Sequence, residues 1–217
     1  VGIDPAHASF LHRFLEDEDP EDSYGKQFRD KAADTDIPMT KLLRDYPRPD
    51  ISVEETDYGM RIIALRHLGN DKTHVRITNQ IFPEAISIPM SSEMIITQWH
   101  VPIDDEHCYW YSMFTSFDKP VDKEVMRAQR LKEHRLPDYA PLKNKTNTYG
   151  FNPEEQKHKT YTGMGLDINV HDQWAVESPG AIFDRTKEHL GKTDVAIIKY
   201  RRMMRAAIAS LSEGSPD

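Results

Sequence analysis

Thiols are nearly absent from this chain of 217 residues, in which Cys108 is the one cysteine. A lone thiol excludes an internal disulfide, and it cannot hold an iron–sulfur cluster, which needs two cysteines even in its histidine-containing form. Long apolar runs are missing as well. No stretch reaches eighteen apolar residues, and the first residues lack the basic-then-apolar order of an export signal, so neither membrane insertion nor secretion is expected and the cytoplasm is the expected compartment. Positive charge is in deficit, with 28 Lys and Arg against 36 Asp and Glu and a net charge of -8. That balance argues against a nucleic-acid partner, because neutralising phosphates takes a concentrated basic surface. There is no internal repeat and no low-complexity tract. At 38% hydrophobic residues the chain can bury one sizeable core, so one domain spanning 1–217 is expected. It begins at Val1 rather than methionine, and the expectation is a piece of something longer.

What is present falls into a helical start, a sheet-rich middle and a helical end. Residues 16–22, EDEDPED, and the polar stretch after them to about residue 50 read as surface loop. Between residues 51 and 117 the runs MRIIALRHL, HVRITNQIF, EMIITQWHV and CYWYSMF are separated by turn-forming GND, PMSS and PIDDEH, the pattern of sequential antiparallel strands. DKEVMRAQRLKEH predicts a short helix, and residues 136–160 predict a long polar loop, a lid or a partner contact. DQWAVES and IFDRTKEHLG predict two helices. A last helix starts at a Thr193 or Asp194 cap, with Ile197, Met204, Ile208 and Leu211 as its buried stripe. Strands followed by helices imply an α+β class, an antiparallel sheet partly wrapped by helices.

The chemistry-bearing stretch is DPAHASFLH, residues 4–12. On a regular helix Asp4 and His7 lie one turn apart and can meet. His7 and His12 would not, because five residues turn about 140° at roughly 100° per residue. Only a distorted helix, a π-bulge for example, would bring both imidazoles together. The bland alternative is the polar end of an ordinary helix.

The order of motifs decides between them. D-x-x-H-x-x-x-x-H at 4–12, QWHVPIDDEHCYWY at 98–111, GLDINVHDQWAVESPGAIFDRTKEHLG at 165–191 and the following TDVAIIKYRRMM resemble the catalytic domain of Rieske non-haem iron oxygenase large subunits, most closely the phthalate dioxygenase type. The resemblance covers residues 1–12 and most of 98–205. It implies a helix-grip (Bet v 1-like) fold, a curved antiparallel sheet around a long C-terminal helix. It also implies that His7, His12 and Asp172 hold mononuclear Fe(II) as a two-histidine, one-carboxylate facial triad, leaving positions open for chemistry. Asp4 is implied to bridge a ligand histidine, His7 by spacing, to a cluster histidine of a neighbouring subunit. The implied reaction is insertion of one or both atoms of dioxygen into an aromatic substrate. Its electrons come from NAD(P)H through a reductase or ferredoxin and a Rieske [2Fe–2S] domain that this chain lacks, in a homotrimer when complete.

Other constellations have plainer readings. His171 stands where the family often has glutamine, and its adjacency to Asp172 disfavours it as a ligand. Asp167 reads as a surface or capping residue. His100, Asp104, Asp105, Glu106 and His107 could form a second metal site but read as a polar turn. Cys108 reads as buried and inert, and Lys199, Arg201, Arg202 and Arg205 as the wet face of the last helix. Trp99, Trp110 and Trp174 could line a pocket or be core. Two other classes remain open: a ligand-binding module of the same fold without metal, and a zinc hydrolase using the same three ligands.

Overall fold

The computed structural model describes residues 2–16, 26 and 37–214. Six strands form one antiparallel sheet in sequence order: β1 (Asp50–Thr56), β2 (Gly59–Gly69), β3 (Lys72–Ile81), β4 (Ala85–Pro89), β5 (Met94–Pro102) and β6 (Cys108–Ser116). Two-residue alternation decides which side is core. On β2, Met60, Ile62, Ala64 and Arg66 are buried while Arg61, Ile63 and Leu65 are half-buried and His67 is exposed. Register carries that inner face across the sheet. Ile62 lies opposite Val53 and Thr78, Ala64 opposite Arg76, Arg66 opposite His74, and Ile96 opposite Ile88 and Phe114. Gly59 closes the first hairpin at φ +142°, and a Cβ there would stand 2.3 Å from the Gln80 carbonyl oxygen, so no larger residue fits.

The helices are α1 (Met39–Asp45), α2 (Lys123–Glu133), α3 (Pro153–His158), α4 (Ile168–Glu177) and α5 (Val195–Ser212). Between α2 and α3 lies a short hairpin of β7 (His134–Arg135) and β8 (Ala140–Pro141). The long helix α5 packs on β1, with Ala196, Tyr200 and Met203 against Met60, Ile62, Ile51 and Val53. Of these, Met60 and Ile62 are large and fully buried, and each contributes roughly 1.5–3 kcal/mol. The result is the expected α+β, helix-grip arrangement of a curved six-stranded sheet with a long C-terminal helix.

Several local expectations are corrected. The buried face of α5 is Ala196, Tyr200 and Met203, whereas Ile208 and Leu211 are 57% and 67% exposed; the small Ala196 lets the first turns approach the sheet closely. The stretch 182–191 holds only a 3-10 turn at Arg185–Lys187, where Asp184 accepts from the Thr186 N–H and hydroxyl and Glu188 is drawn to Arg201. The 136–160 stretch is no free lid: Tyr149 is buried against Met164, Val170 and Trp174, and its hydroxyl donates to Glu177 at 2.8 Å. Within the loop expected before residue 50, α1 buries Met39 and Leu42. The acidic run from residue 17 to 22 lies outside the described residues. No described helix is long and apolar enough to cross a membrane.

Candidate metal centre

The segment from Asp4 to Phe14 is a succession of tight turns rather than a helix. The Asp4 carboxylate accepts from the Ala6 N–H at 2.8 Å and opens the first turn, a 3-10 turn spans His7–Ser9, and the His7 carbonyl accepts from both Phe10 and Leu11. A further turn closes from Arg13 N–H to the Phe10 carbonyl. These turns replace the π-bulge a helix would have needed, and they swing His12 back beside His7, with ring centroids 5.0 Å apart at 81°. Both ends are pinned. Arg66, 1% exposed on β2, donates to the Pro5 and Tyr46 carbonyls at 3.1 and 3.0 Å. Phe14 pairs with Thr160 in an isolated bridge, and Leu15 N–H and Arg13 C=O bond Lys159 and Tyr161.

Asp172 comes from the second turn of α4. Asp167 caps that helix by accepting from Asn169 N–H at 2.9 Å, and it pairs with Arg130; it is a buried capping residue, not a surface one. One residue before Asp172, His171 is fully buried and turned the other way. Its Nε2 donates to the Gly165 carbonyl at 2.9 Å, and its ring stacks on His12 at 5.7 Å and 27°. His171 is therefore a backing plate for His12, outside the three-residue cluster.

Among the described residues, His7, His12 and Asp172 are the one group of at least three His, Cys, Asp or Glu side chains that can converge on an ion. His7 Nε2 lies 3.2 Å from His12 Nε2 and 3.7 Å from Asp172 Oδ1, and His12 Nε2 lies 3.2 Å from Asp172 Oδ1. A triangle with those edges has a circumradius of about 2.0 Å, the length of a metal bond to imidazole or carboxylate. Protonation follows the same logic. Burial, then His12, push His7 down to about 3, so its ring is neutral, and its Nδ1 hydrogen-bonds the Asp4 backbone carbonyl, which turns the Nε2 lone pair inward. Burial raises the Asp172 carboxyl, but His12 and His7 outweigh it and the net shift is downward, which keeps it anionic. Asp172 Oδ1 is nevertheless buried without a hydrogen bond. The neutral His7 imidazole, the His12 imidazole and one carboxylate oxygen without a hydrogen bond form a donor set that fits Fe(II) or another divalent cation.

The Asp4 side chain does not make the pairing expected of it. Its backbone carbonyl, not its carboxylate, holds His7, and burial raises the carboxyl from its ordinary value. The three ligand side chains keep 20%, 10% and 15% of their surface exposed, and that surface opens into a cavity of about 410 Å³. Its sheet wall carries Arg76, Ile96, Gln98, His100, Trp110 and Phe114, and its helix wall Ile168, Asn169, Asp172 and Val176. His100 leans on Trp110 at 5.3 Å, and burial lowers its pKa. It does not join the PIDDEH acids, which form the expected turn: Asp104 accepts from Glu106 and His107 N–H. Cys108 is exposed rather than buried, since it ends the edge strand. Of the basic cluster on α5, Lys199 pairs with Glu55 and Arg201 with Glu188, so two of its members are tied to neighbouring elements. Trp110 lines the cavity and Trp174 packs against Tyr149, Met164 and Val170. Arg66, Arg76 and the role of His100 were invisible in sequence, although inward register on alternating strand positions could have flagged all three.

The model of the family described as "LigXa C-terminal domain like" matches residues 2–217. The chain is 32% identical over 174 residues to the phthalate 4,5-dioxygenase oxygenase subunit of Pseudomonas putida, covering 76% of this chain and 39% of that protein. It is 26% identical over 224 residues to the 3-chlorobenzoate-3,4-dioxygenase oxygenase subunit of Comamonas testosteroni, covering 95% of this chain and 48% of that protein. The chain thus spans less than half the length of either relative. It belongs to the LigXa C-terminal domain-like family and is a catalytic domain of the Rieske oxygenase type.

Proposed function

We propose that this chain is the dioxygen-activating half of an aromatic-ring hydroxylating oxygenase, with Fe(II) held by His7, His12 and Asp172. The observation that carries the reading is the triangle of ligand atoms, 3.2, 3.2 and 3.7 Å on its edges, opening into a largely apolar cavity. When bound, ferrous iron would offer dioxygen open coordination positions and a redox-active centre that takes up electrons delivered from outside this chain. The chain's own residues do the rest. His7 is oriented by the Asp4 carbonyl and His12 by the His171 ring, so neither imidazole has to reorganise to bind. Ile96, Trp110, Phe114 and Val176 offer apolar faces to a ring. One aromatic substrate fits the cavity size, and the relatives named for phthalate and 3-chlorobenzoate support an aromatic carboxylate.

Electrons are proposed to arrive from NAD(P)H through a reductase or ferredoxin and a Rieske [2Fe–2S] domain carried elsewhere in the complete protein, which would work in the cytoplasm. Asp4, half-buried beside the centre, is the proposed bridge to a neighbouring subunit's cluster histidine in a homotrimer. The test is turnover by the complete oxygenase with its reductase under labelled dioxygen. Incorporation of label into a phthalate- or benzoate-class acid, with NAD(P)H consumed in step, is the expected result. Oxygen-independent hydrolysis of such compounds, or retention of ligand without turnover, overturns the reading.

A further inference from the structure

We propose that Glu155 is the positioning residue of His12: one carboxylate oxygen, outside the ligand set, ends two chains of contacts that fix the second imidazole of the centre. The assignment rests on the metal-centre reading above and goes beyond it by naming what holds that ligand in place.

The two histidines of the centre are held differently. His7 is turned by the hydrogen bond from its Nδ1 to the Asp4 carbonyl. His12 has nothing equivalent: its Nδ1 is buried, and among the described residues no group hydrogen-bonds to it. Metal-binding imidazoles ordinarily hydrogen-bond that second ring nitrogen, which fixes the tautomer and the ring plane. The orientation of His12 therefore has to come from the ring stacked on it and from the backbone that follows it. Both lead to Glu155.

The first route runs through the stacked ring. His171 lies on His12 at 5.7 Å and is itself held by the bond from its Nε2 to the Gly165 carbonyl at 2.9 Å. Gly165 turns at φ +91°, a conformation that favours glycine, and its N–H donates to Glu155 Oε1 at 2.8 Å. The second route runs through the backbone. Arg13 C=O accepts from Tyr161 N–H and Leu15 N–H donates to Lys159 C=O, both at 2.8 Å, with Phe14 opposite Thr160 between them. Thr160 is fully buried, and its hydroxyl donates to the same Glu155 Oε1 at 2.7 Å. Bonds to a carboxylate are charge-assisted and roughly twice as strong as neutral ones, so this acceptor is a firm anchor for both routes. The helix that carries it is built for the purpose. On α3, Asn152 caps the first turn by accepting from Glu154 and Glu155 N–H, no side chain is buried, and Glu155 is the one residue that is even half-buried.

Three variants separate positioning from plain stability. Glu155→Ala removes the shared acceptor, Glu155→Gln keeps an amide oxygen that can accept from both donors, and Tyr149→Phe is a destabilised control outside both routes. Each is titrated anaerobically with Fe(II), its ferrous nitrosyl is recorded by electron paramagnetic resonance, and the histidine ring signals of the metal-free, isotope-labelled chain are followed by NMR. Glu155→Ala should lower Fe(II) affinity several-fold, less than the roughly tenfold or more that follows loss of a group bonded to the ligand itself. It should also broaden the nitrosyl signal and shift the His12 and His171 ring signals. Glu155→Gln should retain most of the affinity and both sets of signals, and Tyr149→Phe should move none of them while lowering the urea midpoint. Unchanged affinity and signals in Glu155→Ala, or an equal loss in Glu155→Gln or in Tyr149→Phe, overturns the assignment. Should Glu155→Ala not fold, Glu155→Asp, too short to reach both donors, takes its place with the same expected losses. Failure of the unsubstituted chain to bind Fe(II) would defeat the oxygenase reading, while the metal-free histidine signals would still decide the role of Glu155.

Discussion

Arg66→Met is the substitution whose effect follows most directly from the structure. Arg66 is buried to 1% exposure and its two hydrogen bonds tie the turn before His7 and the residue after α1 to strand β2. Methionine fills most of the stem volume but leaves the Pro5 and Tyr46 carbonyls without a donor, at about 1–3 kcal/mol each. Part of this is returned, because the buried guanidinium has an unpartnered Nη1 and repels Arg76 and His74. The net loss should be about 2 kcal/mol, or about 4–8 °C in melting temperature for a domain of this size. Releasing Pro5 also loosens the turn that carries His7, so divalent-metal affinity should fall by about tenfold, as for other groups that orient a ligand. Urea unfolding of the metal-free chain followed by circular dichroism, together with a competitive metal titration, measures both. An unchanged midpoint with unchanged affinity would refute the idea that Arg66 clamps the metal-bearing turn.

Acid should destabilise the metal-free chain through His74. Burial, then Arg66 and Arg76, lower it from 6.5 to about 4. Between those values the unfolded chain takes up a proton that the folded chain refuses, so stability falls as pH drops from about 7 to about 4, by about 1 kcal/mol once solvent screening of this half-buried ring is allowed for. His74→Gln should make that slope shallower in a pH series of urea midpoints, with His7 and His171 accounting for what remains, and an unaltered slope would contradict it. Asp4→Asn keeps an acceptor for Ala6 N–H and leaves the carbonyl on His7. It should spare metal content and lower turnover of the complete oxygenase, because it removes the charge of the proposed contact between subunits and not the group that holds His7. Equal loss of both would remove its proposed role in electron transfer. Tyr149→Phe removes the bond to Glu177 and should cost about 1 kcal/mol in urea unfolding without altering metal binding.

The fold was legible where alternation and turns are strong. GND and PIDDEH marked hairpins that the structure contains, and Asp122 caps α2 as its sequence suggests. β1 and β4 were not separable by pattern, since β4 is five residues long and β1 is half polar. The α5 stripe was misplaced because hydrophobicity alone favours Ile208 and Leu211 over Ala196, whereas close packing on β1 favours the small residue. In the site, motif resemblance singled out His7, His12 and Asp172, and helical geometry alone would have argued against the pair. The turns that rescue the five-residue spacing depend on Arg66 and on Thr160, which lie 61 residues after Pro5 and far beyond Phe14, and no local pattern reports such clamps. Inward-facing charge is equally silent in sequence: Arg66 and Arg76 share the inner face, yet Arg66 donates to two backbone carbonyls and Arg76 lines the cavity.

Anaerobic Fe(II) titration with nitric oxide as the spectroscopic probe tests the metal centre most directly. The chain should bind one equivalent of Fe(II) and give the half-integer-spin signal of a ferrous nitrosyl with open coordination positions. His7→Ala, His12→Ala and Asp172→Ala should each abolish it, with thermal unfolding of the metal-free variants showing that the fold persists. Retention of stoichiometric iron by any folded member of the three would contradict a centre built on those side chains.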